Sequence, residues 1–329
     1  VEGQSAYSGN PYKPSNTIST NLFNSISFIS NTGDVYKNLD LNVSDKNTNQ
    51  VSLGEESSNI LNSIIEVAKE EGYKNHQLWL DNIPPVIYYQ NVVNKYKPKT
   101  ELNNIDSLIG EYDDPENQHQ GYASLPITTG GNTVIVGATG MGKNTLISTF
   151  IFSTIINHNC DEVSFYIMDF GSEKLKKFIN APQVGDVLTI EDEDKINNLF
   201  YMLEEEKDKR QKYYLNNGGD FLSDVKQKKI TFSNIIVIIY DIEAFRETFE
   251  DLYDEKFAVF TRNCSKVGIN FIITSSNVTS LNFVIENNFP QKIMLNMIDN
   301  DDYAMFFTNP PVPNNNPGRG IIKLNDLVY

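Results

Sequence analysis

Residues 133–157 restrict this chain most. A short apolar run, Thr133-Val134-Ile135-Val136, leads directly into Gly137-Ala138-Thr139-Gly140-Met141-Gly142-Lys143-Asn144, and a largely apolar helix is expected from there to about residue 157. In a strand, glycine-rich turn and helix of this kind, successive backbone N–H groups can curl around phosphate oxygens while the helix N-terminus faces the negative charge. The eight residues match G-x-x-x-x-G-K-[ST] at every position but the last. At ~7% Gly the string alone would arise in about one chain in ten of this length, so its weight comes from the strand before it and the helix after it. The competing reading, a plain turn with an incidental lysine, would leave Lys143 as a charge in the first turn of an apolar helix.

On the phosphate reading, Lys143 reaches the β- and γ-phosphates. Asn144 stands where a Ser or Thr hydroxyl would ligate Mg²⁺ and offers a neutral amide oxygen on a longer side chain. Thr145 is one residue further along the helix and points about 100° away. The candidate cofactor-binding set is Gly137, Ala138, Thr139, Gly140, Met141, Gly142, Lys143, Asn144 and Thr145. The expected cofactors are ATP and a weakly held or absent Mg²⁺, with binding surviving better than fast hydrolysis.

A second acidic site is expected after Ile235-Ile236-Val237-Ile238-Ile239-Tyr240, a buried strand ending in Asp241. An aspartate there, beside the phosphate loop, fits the Walker B role of holding the Mg²⁺ shell, and it also fits a helix N-cap. Ile242 follows where many motor ATPases carry the water-orienting Glu. Glu243, two along, is left open between catalytic base and surface acid. Thr274 or Ser275, closing the strand Asn270-Phe271-Ile272-Ile273-Thr274, reads as a γ-phosphate sensor or as ordinary turn hydroxyls. Arg262 and Arg319 read as trans-acting fingers, partner contacts or plain surface arginines.

The strand candidates at 133–136, 163–168, 235–240, 270–274 and 292–296 alternate with helices, including a long charged one at 192–216 ended by Gly218-Gly219. This spacing predicts an α/β domain with a mostly parallel sheet flanked by helices over residues 105–329. Residues 1–104 read as a linker and smaller α+β extension packed on it: polar at 1–52 with strand-like stretches at 22–29 and 35–41, a helix at 55–71, a short strand at 77–80, then a connector from 86 to about 102. Opening on Val1, the sequence is expected to be a piece of a longer chain.

At 40% hydrophobic residues, with 17 Tyr and 19 Phe, the chain can bury a sizeable core, which excludes wholesale disorder. A net charge of −16 argues against a nucleic-acid or anionic-lipid platform. Cys160 and Cys264 make no disulfide framework, and His76, His119 and His158 do not pair with them at zinc-ligand spacing. Asp169-Phe170-Gly171 lacks the other kinase elements around it.

Several segments together resemble a family. Trp79-Leu80-Asp81-Asn82-Ile83-Pro84 resembles a W-L-x-x-L-P segment, and the stretch Ile109-Gly110-Glu111-Tyr112-Asp113-Asp114-Pro115-Glu116-Asn117-Gln118-His119-Gln120 is similar to I-G-x-x-D-x-P-x-x-Q-x-Q. Asp169-Phe170-Gly171, Pro182-Gln183-Val184-Gly185-Asp186-Val187, the Thr261-Arg262-Asn263 to Gly268-Ile269 element and Pro317-Gly318-Arg319-Gly320 follow in the family's order. Residues 4–12 resemble the tail that closes a preceding ATPase domain. The family is that of the FtsK/SpoIIIE-type ATPase domains of the type VII secretion motor, the EssC/EccC proteins. The resemblance implies a RecA/FtsK-like P-loop NTPase fold and the second of three tandem ATPase domains. It also implies a cytoplasmic position in a membrane-anchored, hexameric bacterial motor that exports WXG-type substrates. The partners so implied are adjacent ATPase domains, further copies and those substrates, with no nucleic acid and no direct membrane contact. Asn144 and Ile242 depart from the family's active pattern, so the implied role is nucleotide-stabilised coupling or docking with weak or no hydrolysis, the alternatives being an ATPase fully active only beside its neighbouring domains and a nucleotide-free scaffold.

Overall fold

The protein is described by a computed structural model covering residues 9, 27–37, 55–73, 80–171, 173–281, 287–308, 310–324 and 327–329. The chain divides into two compact units, Val1–Leu78 and Trp79–Tyr329. Expectations placed on residues 4–8, 10–12, 22–26, 38–41 and 77–79 fall outside the described residues.

In the first unit, strands β1 (Ser27–Ile29) and β2 (Val35–Lys37) form a short antiparallel hairpin. Helix α1 (Glu56–Glu70) forms where apolar periodicity placed it, with an acid in its first turn, a lysine in its last and Gly72 just beyond. Its apolar stripe, Ile60, Leu61, Ile64, Ile65 and Val67, is exposed.

The second unit opens with helix α2 (Tyr89–Tyr96) and an antiparallel hairpin of β3 (Asp106–Asp114) and β4 (His119–Pro126), followed by the single turn α3 (Ile127–Gly130). Then come β5 (Thr133–Val136), α4 (Lys143–Asn157), β6 (Val163–Asp169), β7 (Val184–Leu188), α5 (Glu193–Asn217) and α6 (Phe221–Lys226). The remaining elements are β8 (Asn234–Tyr240), α7 (Ile242–Thr248), α8 (Ala258–Cys264), β9 (Ile269–Ser275), β10 (Gln291–Leu295), β11 (Gly320–Leu324) and β12 (Leu327–Val328). The main sheet runs β12-β11-β10-β5-β9-β8-β6-β7, parallel from β10 to β7, with β11 and β12 antiparallel at one edge. Strand β9 therefore lies between the strand that feeds the glycine-rich turn and the strand that ends in Asp241.

The apolar runs are uninterrupted because both faces of the sheet are covered. On β8, Ile235, Val237 and Ile239 pack with Ile196, Leu199 and Leu203 of α5 and with Phe245 of α7. Ile236 and Ile238 face the other way, toward Ile147, Phe150 and Ile151 of α4. Arg210, the largest fully buried side chain described, reaches from α5 under the sheet. Its Nη1 donates to the carbonyls of Ser233 and Val267, both at 2.9 Å, and its Nε donates to Glu206 Oε1 at 2.9 Å. It thereby ties together the entries to β8 and β9.

Helix α2 and the β3–β4 hairpin were not read from the sequence. Helix α2 is eight residues long and buries only Val92, too short a pattern for periodicity. The hairpin shifts register between Leu108 and Gly110, which breaks the alternation. Gly121 lets the Tyr112 ring lie flat on β4, since a Cβ there would sit 2.5 Å from it.

The core holds an unbalanced polar side chain on β9. Asn270, 1% exposed on β9, has no partner for either amide atom among the described residues. An orphaned buried amide costs about 1–3 kcal/mol. Asn270→Val, β-branched and similar in volume, is expected to raise stability by about 1–2 kcal/mol. Chemical denaturation reads this directly, and a lower midpoint for the variant would refute it.

Candidate functional site

The glycine-rich turn is gripped from both sides. Gly137 N–H donates to the carbonyl of Ser275 at the end of β9 (3.2 Å), and Ala138 N–H donates to the carbonyl of Asn296 just past β10 (2.9 Å). Thr139 and Gly140 form an exposed tip, and Met141 N–H closes the turn onto Ala138 O at 3.2 Å. Gly142 caps α4 with φ +106°, and a Cβ there would stand 3.0 Å from the amide nitrogen of Gly318. Both the backbone angle and the close approach call for glycine. The first N–H groups of α4 have no intrahelical acceptor, which leaves them for an anion.

Lys143 is buried, 7% exposed. Its ammonium donates to Gly137 O, to Ala138 O at 3.5 Å and to Ser276 Oγ at 3.3 Å, so it lies folded into its own loop. Burial pulls its pKa below the usual lysine value, against the opposing fields of Glu243 and Asp241. Asn144 is half-buried, and its Oδ1 accepts from Ser148 Oγ at 3.4 Å. Thr145 is exposed.

Asp241 follows β8 with φ +76°, a strained backbone for a non-glycine residue. Its N–H donates to the buried Thr274 hydroxyl at 2.8 Å, and its Oδ1 accepts from Ala244 N–H at 3.2 Å. It is thus a strand-end acid and the N-cap of α7 at once. Burial raises its pKa, the Glu243 carboxylate beside it raises it further, and the Ala244 N–H opposes both.

Glu243 is held firmly. Its Oε1 accepts from Ser275 Oγ (2.6 Å), Ser280 Oγ (2.8 Å) and Ser276 N–H (3.0 Å), whereas its Oε2 is buried with no partner among the described residues. Burial works to raise its pKa, but the serine hydroxyls and the Ser276 N–H outweigh that and hold it below the usual glutamate value.

The structure brings together Gly137 to Lys143, Asp241, Glu243 and Thr274. Arg262 is exposed on α8, and no hydrogen bond or ion pair among the described residues ties it to this cluster. Arg319 lies next to Gly318, but its guanidinium donates to the carbonyls of Ile83 (2.5 Å) and Pro84 (3.3 Å). Ser276, Ser280 and Asn296 were not singled out from the sequence. Ser276 and Asn296 immediately follow the apolar strands on either side of β5, and that position was the available signal. Asp169 ends β6 as a turn residue, accepting from Gly171 N–H (3.3 Å) and Leu175 N–H (3.0 Å).

As to Mg²⁺, the donor chemistry fits: two adjacent carboxylates, one with an unpartnered buried oxygen, and an amide oxygen at the start of α4. No cluster of three or more His, Cys, Asp or Glu residues able to hold a metal occurs among the described residues.

Comparison with known proteins follows the same lines. The chain is 24% identical over 231 residues to the type VII secretion system protein EssC of Staphylococcus aureus, covering 69% of this chain and 16% of that protein. It is 26% identical over 269 residues to the ESX secretion system protein EccC of Geobacillus thermodenitrificans, covering 80% of this chain and 18% of that protein. The chain thus spans under a fifth of the length of these relatives. Among solved structures, ATPases 2 and 3 of EssC from Geobacillus thermodenitrificans share its fold with TM-score 0.65 at 24% identity, over 76% of this chain and 47% of that one. ATPases 2 and 3 of Thermomonospora curvata EccC, in complex with a signal sequence peptide, do so with TM-score 0.59 at 23% identity, over 67% and 41%. The FtsK/SpoIIIE family profile matches residues 113–315, from the β3–β4 hairpin to the loop before β11. With a sequence match across most of the chain and the P-loop NTPase fold of the EssC/EccC ATPase domains, this chain belongs to the FtsK/SpoIIIE family.

Proposed function

We propose that this chain is an ATP-binding module of a type VII protein-secretion motor, equivalent to the second of its tandem ATPase domains, and that it hydrolyses ATP weakly or not at all. The observation that carries the reading is the pose of Lys143: a buried ammonium folded onto loop carbonyls, facing Asp241 and Glu243. A lysine so placed needs only to exchange the carbonyls of Gly137 and Ala138 for phosphate oxygens, which are stronger acceptors. The N–H groups of the turn and of the first turn of α4 cradle the phosphates. Asp241 and Asn144 would hold Mg²⁺, which when bound supplies positive charge to the phosphate oxygens.

Two features support slow turnover. Asn144 brings no hydroxyl, and one of the two carboxylate oxygens of Glu243, the candidate base, is already taken up by three donors. The open Oε2 of Glu243 favours a second reading, in which neighbouring domains complete a competent ATPase. In the assembled motor we place the chain on the cytoplasmic side of a membrane-anchored hexamer, with adjacent ATPase domains and WXG-type export substrates as partners and no nucleic acid. No described helix is long and apolar enough to cross a membrane, so anchoring falls to other parts of the motor.

Calorimetry of the chain with Mg·ATP is expected to give micromolar binding, with negligible phosphate release. Absence of binding at millimolar ATP would overturn the reading. Asn144→Thr is expected to raise phosphate release by about tenfold at unchanged affinity, since ~1.4 kcal/mol of transition-state stabilisation is a modest demand on a restored metal ligand. An unchanged rate would move the block to Glu243.

A further inference from the structure

We infer that Arg319 is a positioning residue that straps the segment entering the second unit to the phosphate-binding turn, so that the two loosen or tighten together. The mechanical part stands on geometry alone, and the nucleotide part rests on the reading of the pocket above.

The entering segment, residues 80–85, is poorly able to hold itself. Pro84-Pro85 offers no N–H, and among the described residues no backbone–backbone hydrogen bond involves this stretch. It is held instead by side chains from elsewhere. Gln120 Nε2 on β4 donates to Asp81 O at 2.7 Å, and the Arg319 guanidinium donates to the two successive carbonyls of Ile83 and Pro84. Both bonds leave one nitrogen, Nη2, whose two N–H groups the planar guanidinium holds at a fixed angle, as a freely rotating ammonium does not.

The other end of the strap is the turn itself. The loop carrying Arg319 is fastened to the phosphate turn at two points. Gly318 N–H donates to Met141 O at 2.9 Å. Asn296 donates through Nδ2 to the carbonyls of Asn314 (3.0 Å) and Asn316 (2.6 Å), while its own carbonyl accepts from Ala138 N–H. Arg319 N–H in turn donates to Asn316 O at 3.1 Å, closing the loop into one unit. The missing side chain at Gly142 lets this loop sit against the turn. From Ile83 to Met141 the path is therefore a hydrogen bond, the Arg319 side chain, one peptide unit and a second hydrogen bond. With both acceptors in the same chain, the guanidinium is engaged in cis.

Hydrogen exchange on the full chain tests the strap without nucleotide. Arg319→Ala is expected to speed exchange about tenfold both at residues 86–90, just past the prolines, and at residues 139–146, with β8 unchanged as the control for global folding. Arg319→Lys, which keeps the charge and loses the planar pair of N–H donors on Nη2, should fall between. Faster exchange at 86–90 alone would reduce Arg319 to a local tether and overturn the coupling, and no change at either place would overturn the contact itself. Binding of a fluorescent ATP analogue to the unaltered chain, measured separately, decides the nucleotide reading. If it binds, the analogue should protect residues 86–90 in the unaltered chain and not in Arg319→Ala, as reciprocal linkage requires. Protection in both would also overturn the coupling.

Discussion

Lys143→Ala is expected to abolish ATP binding by calorimetry, a loss on the order of a hundredfold or more, without lowering the stability of the unliganded protein. The first half follows from the charge-assisted hydrogen bonds that an ammonium makes with phosphate, each contributing about 1.5–3 kcal/mol. The second half follows from the state of the lysine when no phosphate is there. Its charge is buried, its pKa is pulled down by that burial, and its partners are two carbonyls and a hydroxyl, with both carboxylates further off. Removing such a group relieves desolvation as well as breaking bonds. Lys143→Met, which keeps the apolar stem, is expected to be more stable than the parent by about 1 kcal/mol in urea unfolding. A functional lysine and a structural one differ in sign here. If both variants lost stability while ATP affinity stayed within a few-fold, Lys143 would be a fastening of the turn and the nucleotide reading would fall.

Arg210→Met should have the opposite profile, with binding left intact and the fold strongly weakened. Its guanidinium is the hydrogen-bond donor for carbonyls at the mouths of β8 and β9, and the ring of Phe232 lies 5.0 Å from it. Taking away one partner of a buried charged network leaves the others desolvated and unmatched, which costs about 3–5 kcal/mol. In a domain of this size that lowers Tm on the order of 10 °C. Glu206, one-fifth exposed, can be rehydrated, so Glu206→Gln should lose far less. Equal losses for the two would mean that the carbonyl contacts depend on Glu206 to orient the guanidinium within the helix.

The parts of this protein that could be read before folding are those with a single dominant cause. The strand at 234–240 is apolar because both faces are buried, and α4 begins at Lys143 because the glycines before it can bend as no other residue can. Asp241 was legible by the same logic, as an acid closing a buried strand. What escaped depends on several distant residues acting jointly. No local pattern tells that Ser275, Ser276 and Ser280 converge on one oxygen of Glu243, or that Arg319 lies against Ile83, 236 positions away. The β3–β4 hairpin escaped because its bulge hides the alternation that marks a strand.

Strand β9 carries no charged group, yet it acts as the ruler between the two halves of the site. It separates the strand of the phosphate turn from the strand of Asp241, and its last residues face different duties: the Thr274 hydroxyl holds the Asp241 backbone, and the Ser275 hydroxyl holds Glu243. Successive side chains on a strand point to opposite faces, so lengthening or shortening β9 by one residue would exchange those duties. Its apolar positions can trade one aliphatic group for another, but its length is quantised in whole residues.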